Sequence, residues 1–253
     1  MILRLTPAAA VSVMLAIVAS APAFAADLPR ETIAAAPDFA APASLSGFYV
    51  GTRNGFGVAD DTRFNVGGGG VRVTNQYELG FSNGLMAGYN FGPVLGGVGL
   101  RGELELSRSQ FSIDTHKVNG AKVADDDSFG ELRAFTGFAN VFVDFNLGRM
   151  TGAAPDSFMN RITPYVGGGI GYSQVELRKM GVSATGVLMN DSDEQFAYNL
   201  SVGVGFEAFE RTTLELGYRY MAAPELKFTA RDGARTKTDL SANMFTVGMR
   251  RQF

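Results

Sequence analysis

Residues 240–253 read LSANMFTVGMRRQF, and this stretch decides the architecture. Phe245, Val247, Met249 and Phe253 fall on one face at a period of two, while Met244, Thr246, Gly248, Arg250 and Gln252 take the other. Such alternation describes a strand with one apolar side. Residues 213–220 repeat it, with Leu214, Leu216, Tyr218 and Tyr220 opposite Thr213, Glu215, Gly217 and Arg219. Neither run contains turn chemistry for about ten residues, the length a tilted strand needs to cross a hydrocarbon core of about 30 Å. The pattern predicts an all-β fold: an eight-stranded antiparallel transmembrane β-barrel, an up-and-down meander that closes on its C-terminal strand.

The N-terminus predicts export. Arg4 precedes an apolar run over residues 8–19, and Ala23-Phe24-Ala25 has the small-x-small pattern of a signal cleavage site, so residues 1–25 read as a signal peptide. No apolar run is long enough for a helical span, which disfavours a membrane anchor. Zero cysteines exclude a disulfide scaffold for an exported chain. Removing Arg4 from the 22 basic residues leaves the 25 acidic ones in clear excess, and no basic stripe exists, so nucleic acid is not expected as a partner. The 32 glycines and 20 phenylalanines, with no sustained helical period, again favour β-structure with many turns. Residues 26–46, rich in proline and alanine, show no alternation and read as a periplasmic lead-in, with a plug or cap of the barrel as the other option. The barrel proper is expected over 47–253.

Strands are expected at 48–58, 77–91, 94–108, 129–147, 162–175, 196–208, and from about 213 and 240. Phe48, Val50, Phe56 and Val58 of the first face lipid, with Tyr49 and Arg53 inward. In the second, Tyr77, Leu79, Phe81, Leu85, Ala87, Tyr89 and Phe91 face outward, with Glu78 inward. In the fourth, Phe138 and Phe142 oppose the apolar face, requiring either a bulge near Gly137 or aromatic packing in the lumen. The connections alternate in length. Those at 59–76, 109–128, 176–193 and 222–239 read as four long external loops, whereas Gly92-Pro93 and Glu210-Arg211 are tight turns and 148–161 is intermediate. Short periplasmic turns, long external loops and an even strand count suit an outer-membrane barrel. A soluble sandwich also alternates, but the strand length and the aromatics near strand ends (Phe48, Tyr77, Tyr89, Phe91, Tyr218, Tyr220, Phe253) favour interfacial girdles.

Four motifs carry a family likeness: Ala26-Asp27-Leu28-Pro29, Ser46-Gly47-Phe48-Tyr49-Val50-Gly51, Thr163-Pro164-Tyr165-Val166-Gly167 and Leu216-Gly217-Tyr218-Arg219-Tyr220. With them the chain resembles the small porin-like surface-antigen barrels of Gram-negative bacteria, the outer-membrane immunogenic proteins related to opacity proteins and the OmpA membrane domain. The resemblance implies insertion by the outer-membrane assembly machinery, reading a terminal signal of Phe245, Val247, Met249 and Phe253. Arg251 departs from the apolar residue often found two before the end, at a cost of about 0–1 kcal/mol for an interfacial Arg.

An eight-stranded barrel has room inside only for side chains or one small ligand. Arg53, Glu78, Arg101, Glu103, Glu105, Glu131, Arg133, Glu207, Glu215, Arg219 and Arg250 are expected in or near that lumen as an ion-pair network, or alternatively as a narrow cation path. Catalytic chemistry is not expected. His116, the only histidine, falls in an external loop, where a Ser-His-acid hydrolase would need Ser109 or Ser112 beside it, and a solvated loop histidine is the better reading. The glycine pattern at 97–102 continues into a strand and so is no dinucleotide site. Asp125-Asp126-Asp127 lacks the spacing of a calcium loop, so neither a metal nor a cofactor is expected. The resemblance also implies haemin binding for some relatives, for which His116, Met180 and Met189 are the loop candidates.

The expected function is a non-enzymatic outer-membrane scaffold and surface antigen or adhesin with four external loops. A small ion-conducting porin is the alternative, and a haemin or lipid receptor a third. Expected partners are outer-membrane lipid and lipopolysaccharide, the assembly machinery, and a host or environmental ligand at the loops, with a monomer as the simplest assembly.

Overall fold

Glycine-rich, β-branched and aromatic alternation over runs of up to twenty residues leaves the backbone one stable course, the β-ladder. A computed structural model describes residues 46–66, 70–123, 127–154, 156–183 and 186–253. The expected signal peptide, the expected lead-in through residue 45, and Asp125 and Asp126 lie outside the described residues.

The strands are β1 (Gly47–Ala59), β2 (Thr62–Val66), β3 (Val71–Tyr77), β4 (Gly80–Leu95), β5 (Val98–Val118), β6 (Ala121–Lys122), β7 (Ser128–Phe145), β8 (Ile162–Val182), β9 (Gly186–Phe209), β10 (Thr212–Thr229) and β11 (Arg235–Gln252). Eight of them form a ring in the order β1, β4, β5, β7, β8, β9, β10, β11 and back to β1, every pair antiparallel. The closing seam runs from Tyr49 opposite Gln252 to Ala59 opposite Ala242, so the terminal strand does close the barrel. Short β2, β3 and β6 extend the wall at the external end. Between β7 and β8 lie a single-turn helix α1 (Leu147–Thr151), capped by the Asn146 side chain, and a 3-10 turn at Phe158–Arg161.

Three expectations need correction. The tight turn after β4 is Gly96-Gly97, both with positive φ (49° and 94°), while Gly92-Pro93 lies within the strand at a register shift. Side-chain-free residues take the left-handed conformation at little cost, and the two glycines suit the turn better. Tyr77 points inward and Glu78 outward, because the strand breaks between β3 and β4 at residues 78–79 and the alternation restarts. Finally, the four long external segments are mostly strand, since the ladder continues to Ser128 opposite Val182, Val182 opposite Gly186, and Thr229 opposite Arg235.

This third difference has a physical cause that shows best in β5. Near the periplasmic end Leu104 and Leu106 face outward, 69% and 59% exposed, while Arg101, Glu103 and Glu105 are buried inside. Farther along the same strand Phe111 and Ile113 are the inward residues, and Arg108, Gln110, Ser112 and Asp114 are exposed. The polarity of the two faces inverts while the backbone pattern does not. Strands β8, β10 and β11 invert likewise, with Val175, Leu177, Leu226, Phe228 and Leu240 buried beyond the lipid-facing band. A strand of 21 residues such as β8, rising about 3.3 Å per residue at a tilt of about 40°, climbs about 50 Å and therefore stands well clear of the hydrocarbon. Above the bilayer water surrounds the wall, so the hydrophobic effect drives apolar side chains into the lumen, as in a soluble barrel.

Leaving lipid also relaxes the demand for a continuous ladder. Along the external part of β10, the Thr229 and Lys227 amides donate to the Asp191 and Asp193 carboxylates of β9 at 2.7 and 2.8 Å. On its other flank the β10–β11 hairpin meets β2, whose Arg63 and Asn65 amides donate to the hydroxyls of Thr238 and Thr236. Such side-chain seams would be costly in hydrocarbon but are tolerated where water can reach.

Truncating the external core should therefore loosen the external hairpins alone. Phe111→Ala is expected to cost about 3–5 kcal/mol, read as faster amide exchange in β3, β5 and β8 above the bilayer. Leu104→Ala, on the lipid side, should leave that protection unchanged.

Candidate functional site: the charged belt of the lumen

Arginine side chains from four strands converge inside the membrane part of the barrel. Arg53 of β1 donates to Glu103 Oε1 at 2.7 Å, to Glu105 Oε2 at 2.5 Å and to Glu215 Oε2 at 3.2 Å. Arg219 of β10 grips Glu105 with both terminal nitrogens, at 2.6 and 2.9 Å, and its Nε donates to Ser201 Oγ. Arg101 of β5 donates to Glu215 Oε1 at 3.0 Å and pairs with Asp144 of β7, Nε to Oδ2, at 2.7 Å. Arg250 of β11 reaches Glu215 Oε1 at 3.3 Å. The four guanidiniums thus face the four carboxylates of Glu103, Glu105, Asp144 and Glu215, and the belt is neutral.

Neutral side chains complete the cross-section. Tyr49 donates its hydroxyl to Glu103 at 3.0 Å, Asn140 bridges Glu103 and Glu105, and Asn199 donates to Asn140 at 2.8 Å. Phe142 and Tyr165 lie against the guanidinium of Arg101, 4.7 and 5.3 Å from ring centre to Cζ, a placement that offers the cation an aromatic face in place of water. Inward glycines make room for these rings. A Cβ on Gly88 would lie 2.4 Å from the Tyr49 ring, and one on Gly203 would lie 2.5 Å from the Tyr165 hydroxyl. Arg101 is wholly buried and Arg53, Glu103, Glu105, Glu215 and Arg219 nearly so. Burying ions is tolerated here because each finds opposite charge and hydrogen bonds in compact geometry.

Immediately outward of the belt, a cavity of about 10 Å³ lies between Arg53, Glu105, Arg219 and Met244, room for about one water molecule. Beyond it stands the apolar core of Phe64, Phe111, Leu177, Met180, Met189, Phe228 and their neighbours.

Of the expected lumen residues, Arg53, Arg101, Glu103, Glu105, Glu215, Arg219 and Arg250 meet in this belt. Glu207 sits at the periplasmic mouth, beside Arg211, Arg250 and Thr213. Glu78, Glu131 and Arg133 do not belong to it. Glu78 is turned out by the break at 78–79, and Glu131 and Arg133 share the outward face of Phe135, where they pair with each other at 2.7 Å. Sequence reading missed Asp144, Asn140 and Asn199, although unbroken alternation from Phe142 would have placed the first two inward. Phe138 and Phe142 are buried in the lumen with an uninterrupted register across Gly137, so aromatic packing and not a bulge explains their position.

His116 corrects a second expectation. It is a fully buried strand residue, not a solvated loop histidine, with Nδ1 2.7 Å from Asn75 Oδ1 and Nε2 3.3 Å from the Phe129 carbonyl. Ser112 is exposed on the other face and Ser109 bonds Ser82, so neither serine is its partner. Met180 and Met189 are buried too, Met180 Sδ accepting from Asn75 Nδ2, which removes the exposed ligands that haemin would need. Residues 97–102 form the β4–β5 turn and the start of β5, as the strand reading required.

Two aromatic rims frame the lipid-facing band. Phe48, Tyr89 and Phe91 stack edge to face at the periplasmic end, while Phe56 with Phe245, Tyr172 with Phe196, and Tyr198 with Tyr220 mark the external end.

A closed ring of eight antiparallel strands, greasy outside and ionic inside between aromatic rims, defines an outer-membrane β-barrel. The chain belongs to the family described as outer membrane protein beta-barrel domain, whose sequence model matches residues 11–253. It is of the opacity- and OmpA-like type and resides in the outer membrane of Gram-negative bacteria. No curated protein sequence matches it. Among solved structures it is similar to OprG of Pseudomonas aeruginosa, at 13% identity and a TM-score of 0.51 over 85% of this chain and 99% of that one. It is also similar to neisserial surface protein A, NspA, at 16% identity and 0.45 over 82% and 98%. A third is Ail, the attachment invasion locus protein of Yersinia pestis, at 13% and 0.38 over 81% and 99%. At such identities the likeness concerns the fold alone.

Two outcomes follow from the site. Glu215→Ala leaves Arg53, Arg101 and Arg250 facing one another and is expected to destabilise the barrel by about 3–5 kcal/mol, measured by urea unfolding in lipid vesicles. Glu131→Ala on the external wall should cost no more than about 1 kcal/mol. The second outcome concerns His116, outside the bilayer. Burial disfavours its imidazolium more than the Phe129 and Gly181 carbonyls favour it, and its pKa falls below the ordinary 6.5. The unfolded state then binds the proton more readily, so stability is full above about 6.5 and declines as the pH falls below it. Protease resistance of the β3–β5 region should drop between pH 7.5 and 5 in the native chain, and His116→Gln should flatten that dependence.

Proposed function

We propose that this barrel is a closed, non-enzymatic surface scaffold that anchors in the outer membrane and holds a rigid external β-wall for recognition. One observation carries the reading: the lumen is filled twice, by the neutral ionic belt within the membrane and by the apolar core above it. An ion would have to break paired buried charges and then cross a hydrocarbon-like interior, and each step is strongly unfavourable. Scaffolding favours the same features that oppose conduction, since paired charges and a packed core both stiffen the wall.

The external wall offers side chains of both signs on fixed strands, among them Arg63, Arg72, Arg108, Asp114 and Lys227, all exposed. Recognition residues held on strands are presented with less ordering entropy to lose than residues on free loops. Such a face suits a host or environmental ligand, or lipopolysaccharide at its lower edge, through polar contacts and not through an enclosed pocket.

Single-channel recording in planar bilayers tests the proposal. The refolded mature protein, with insertion verified by protease protection, is expected to stay silent at physiological salt. Arg53→Ala combined with Glu105→Ala, which empties the belt centre, is expected to raise leak current. Reproducible conductance steps from the native chain would overturn the scaffold reading in favour of a small porin.

A further inference from the structure

At the periplasmic mouth the barrel holds a cavity of about 110 Å³ between the β4–β5 turn, the 146–161 connection and the β9–β10 turn. Its walls bear four guanidiniums, those of Arg149, Arg161, Arg211 and Arg250, against two carboxylates, Asp144 and Glu207. These arginines come from α1, the 3-10 turn, the β9–β10 turn and β11, so no single surface segment accounts for their convergence. Arg250 and Asp144 are already balanced within the belt by Glu215 and Arg101, so the remaining lining charges are Arg149, Arg161 and Arg211 against Glu207, an excess of positive charge that selects an oxyanion.

A second observation narrows the anion. Asp144 lines the cavity and its side chain is nine-tenths buried, yet among the described residues Oδ1 has no hydrogen-bond partner. Its other oxygen is occupied by Arg101. Behind it Arg101 Nε and Nη2 also have no hydrogen-bond partner among the described residues, Nε meeting Asp144 Oδ2 as an ion pair. A buried carboxylate oxygen requires a donor, and an oxyanion supplies one only if it carries a hydroxyl. Inorganic phosphate always carries a P–OH at neutral pH, and a phosphate monoester, with its second pKa at about 6, carries one only in its monoanionic form, whereas sulfate and phosphodiesters carry none.

The geometry points to a hydrogen-phosphate site at the periplasmic mouth: Arg149, Arg161, Arg211 and Arg250 surround the anion and the carboxylate of Asp144, which lines the cavity, accepts its proton-bearing oxygen. The charge on the arginines provides attraction without selectivity. Asp144 provides the selectivity, since an anion lacking a hydroxyl would set two acceptors against each other. The volume admits a phosphate group together with several water molecules, and the source is free phosphate or the exposed headgroup of a monoester lipid.

The mature protein, in phosphatidylcholine nanodiscs and phosphate-free buffer, is titrated calorimetrically with inorganic phosphate and, separately, with sulfate. Saturable phosphate binding is expected, with sulfate weaker by about tenfold or more, the loss associated with one charge-assisted hydrogen bond. Arg149→Gln with Arg211→Gln, both exposed residues, should weaken phosphate by about tenfold or more while the folded electrophoretic mobility is kept. Asp144→Asn should bring the two anions to similar affinity, and the arginine pair remains informative should that variant fold poorly. Absence of saturable phosphate binding, or binding indifferent to the arginine pair, overturns the site. Equal binding of phosphate and sulfate by the native chain overturns the role of Asp144 and with it the assignment to hydrogen phosphate. Where phosphate binds, loss of its signal in nanodiscs containing phosphatidic acid assigns the site to a monoester lipid, and an unchanged signal assigns it to free phosphate.

Discussion

Inside hydrocarbon every backbone N–H and C=O needs a protein partner, and this requirement governs the whole molecule. It closes β1 onto β11 and leaves no free edge in the membrane. A ring of eight strands then encloses a lumen about as wide as two facing layers of side chains. Large side chains reach across it, and the inward glycines of β4 and β9 receive the Tyr49 and Tyr165 rings. The polar interior is thus a consequence of closure: apolar residues are spent on the lipid face, and the alternate positions must satisfy one another.

The belt satisfies that condition through charge neutrality and reach. Arg53 alone links β1 to β5 and β10, and Glu215 collects three arginines from β1, β5 and β11. Cross-lumen pairing of this kind couples strands that share no hydrogen bonds, so the barrel resists ovalisation as well as ion passage. Arg53 and Glu215 each make three of these pairings, and Arg101 is held between Phe142, Tyr165 and two carboxylates.

Above the bilayer the same backbone obeys the opposite solvent rule. Water on the outside moves the apolar residues inward, and backbone pairing gives way in places to side-chain seams, as at Asp191 and Asp193. One continuous sheet therefore serves as an inside-out barrel below and an ordinary barrel above. The switch in polarity between Leu106 and Phe111 of β5 locates the external boundary of the membrane without reference to any lipid.

Alternation along the whole chain, clearest in residues 213–220 and 240–253, together with the spacing of the connections determined the strand type, the count of eight, the lipid-facing side and, through unbroken parity, the inward placement of Arg53, Arg101, Glu103, Glu105, Glu215, Arg219 and Arg250. Period-two patterns report facing reliably as long as no residue is inserted. They failed at the 78–79 break, which turned Tyr77 in and Glu78 out, and they were set aside too early at Glu131 and Arg133. The four external segments looked like loops because their apolar residues are fewer and lie on the opposite face from those below, a pattern that simple membrane-strand criteria discard. Tertiary structure alone decided which arginine meets which carboxylate, the burial of His116 against Asn75, and the convergence of four arginines around Asp144 at the mouth. His116 lies 41 positions from Asn75, and Arg53 lies 50 from Glu103 and 162 from Glu215 across a closed ring, and local sequence carries no record of a distance that only closure creates.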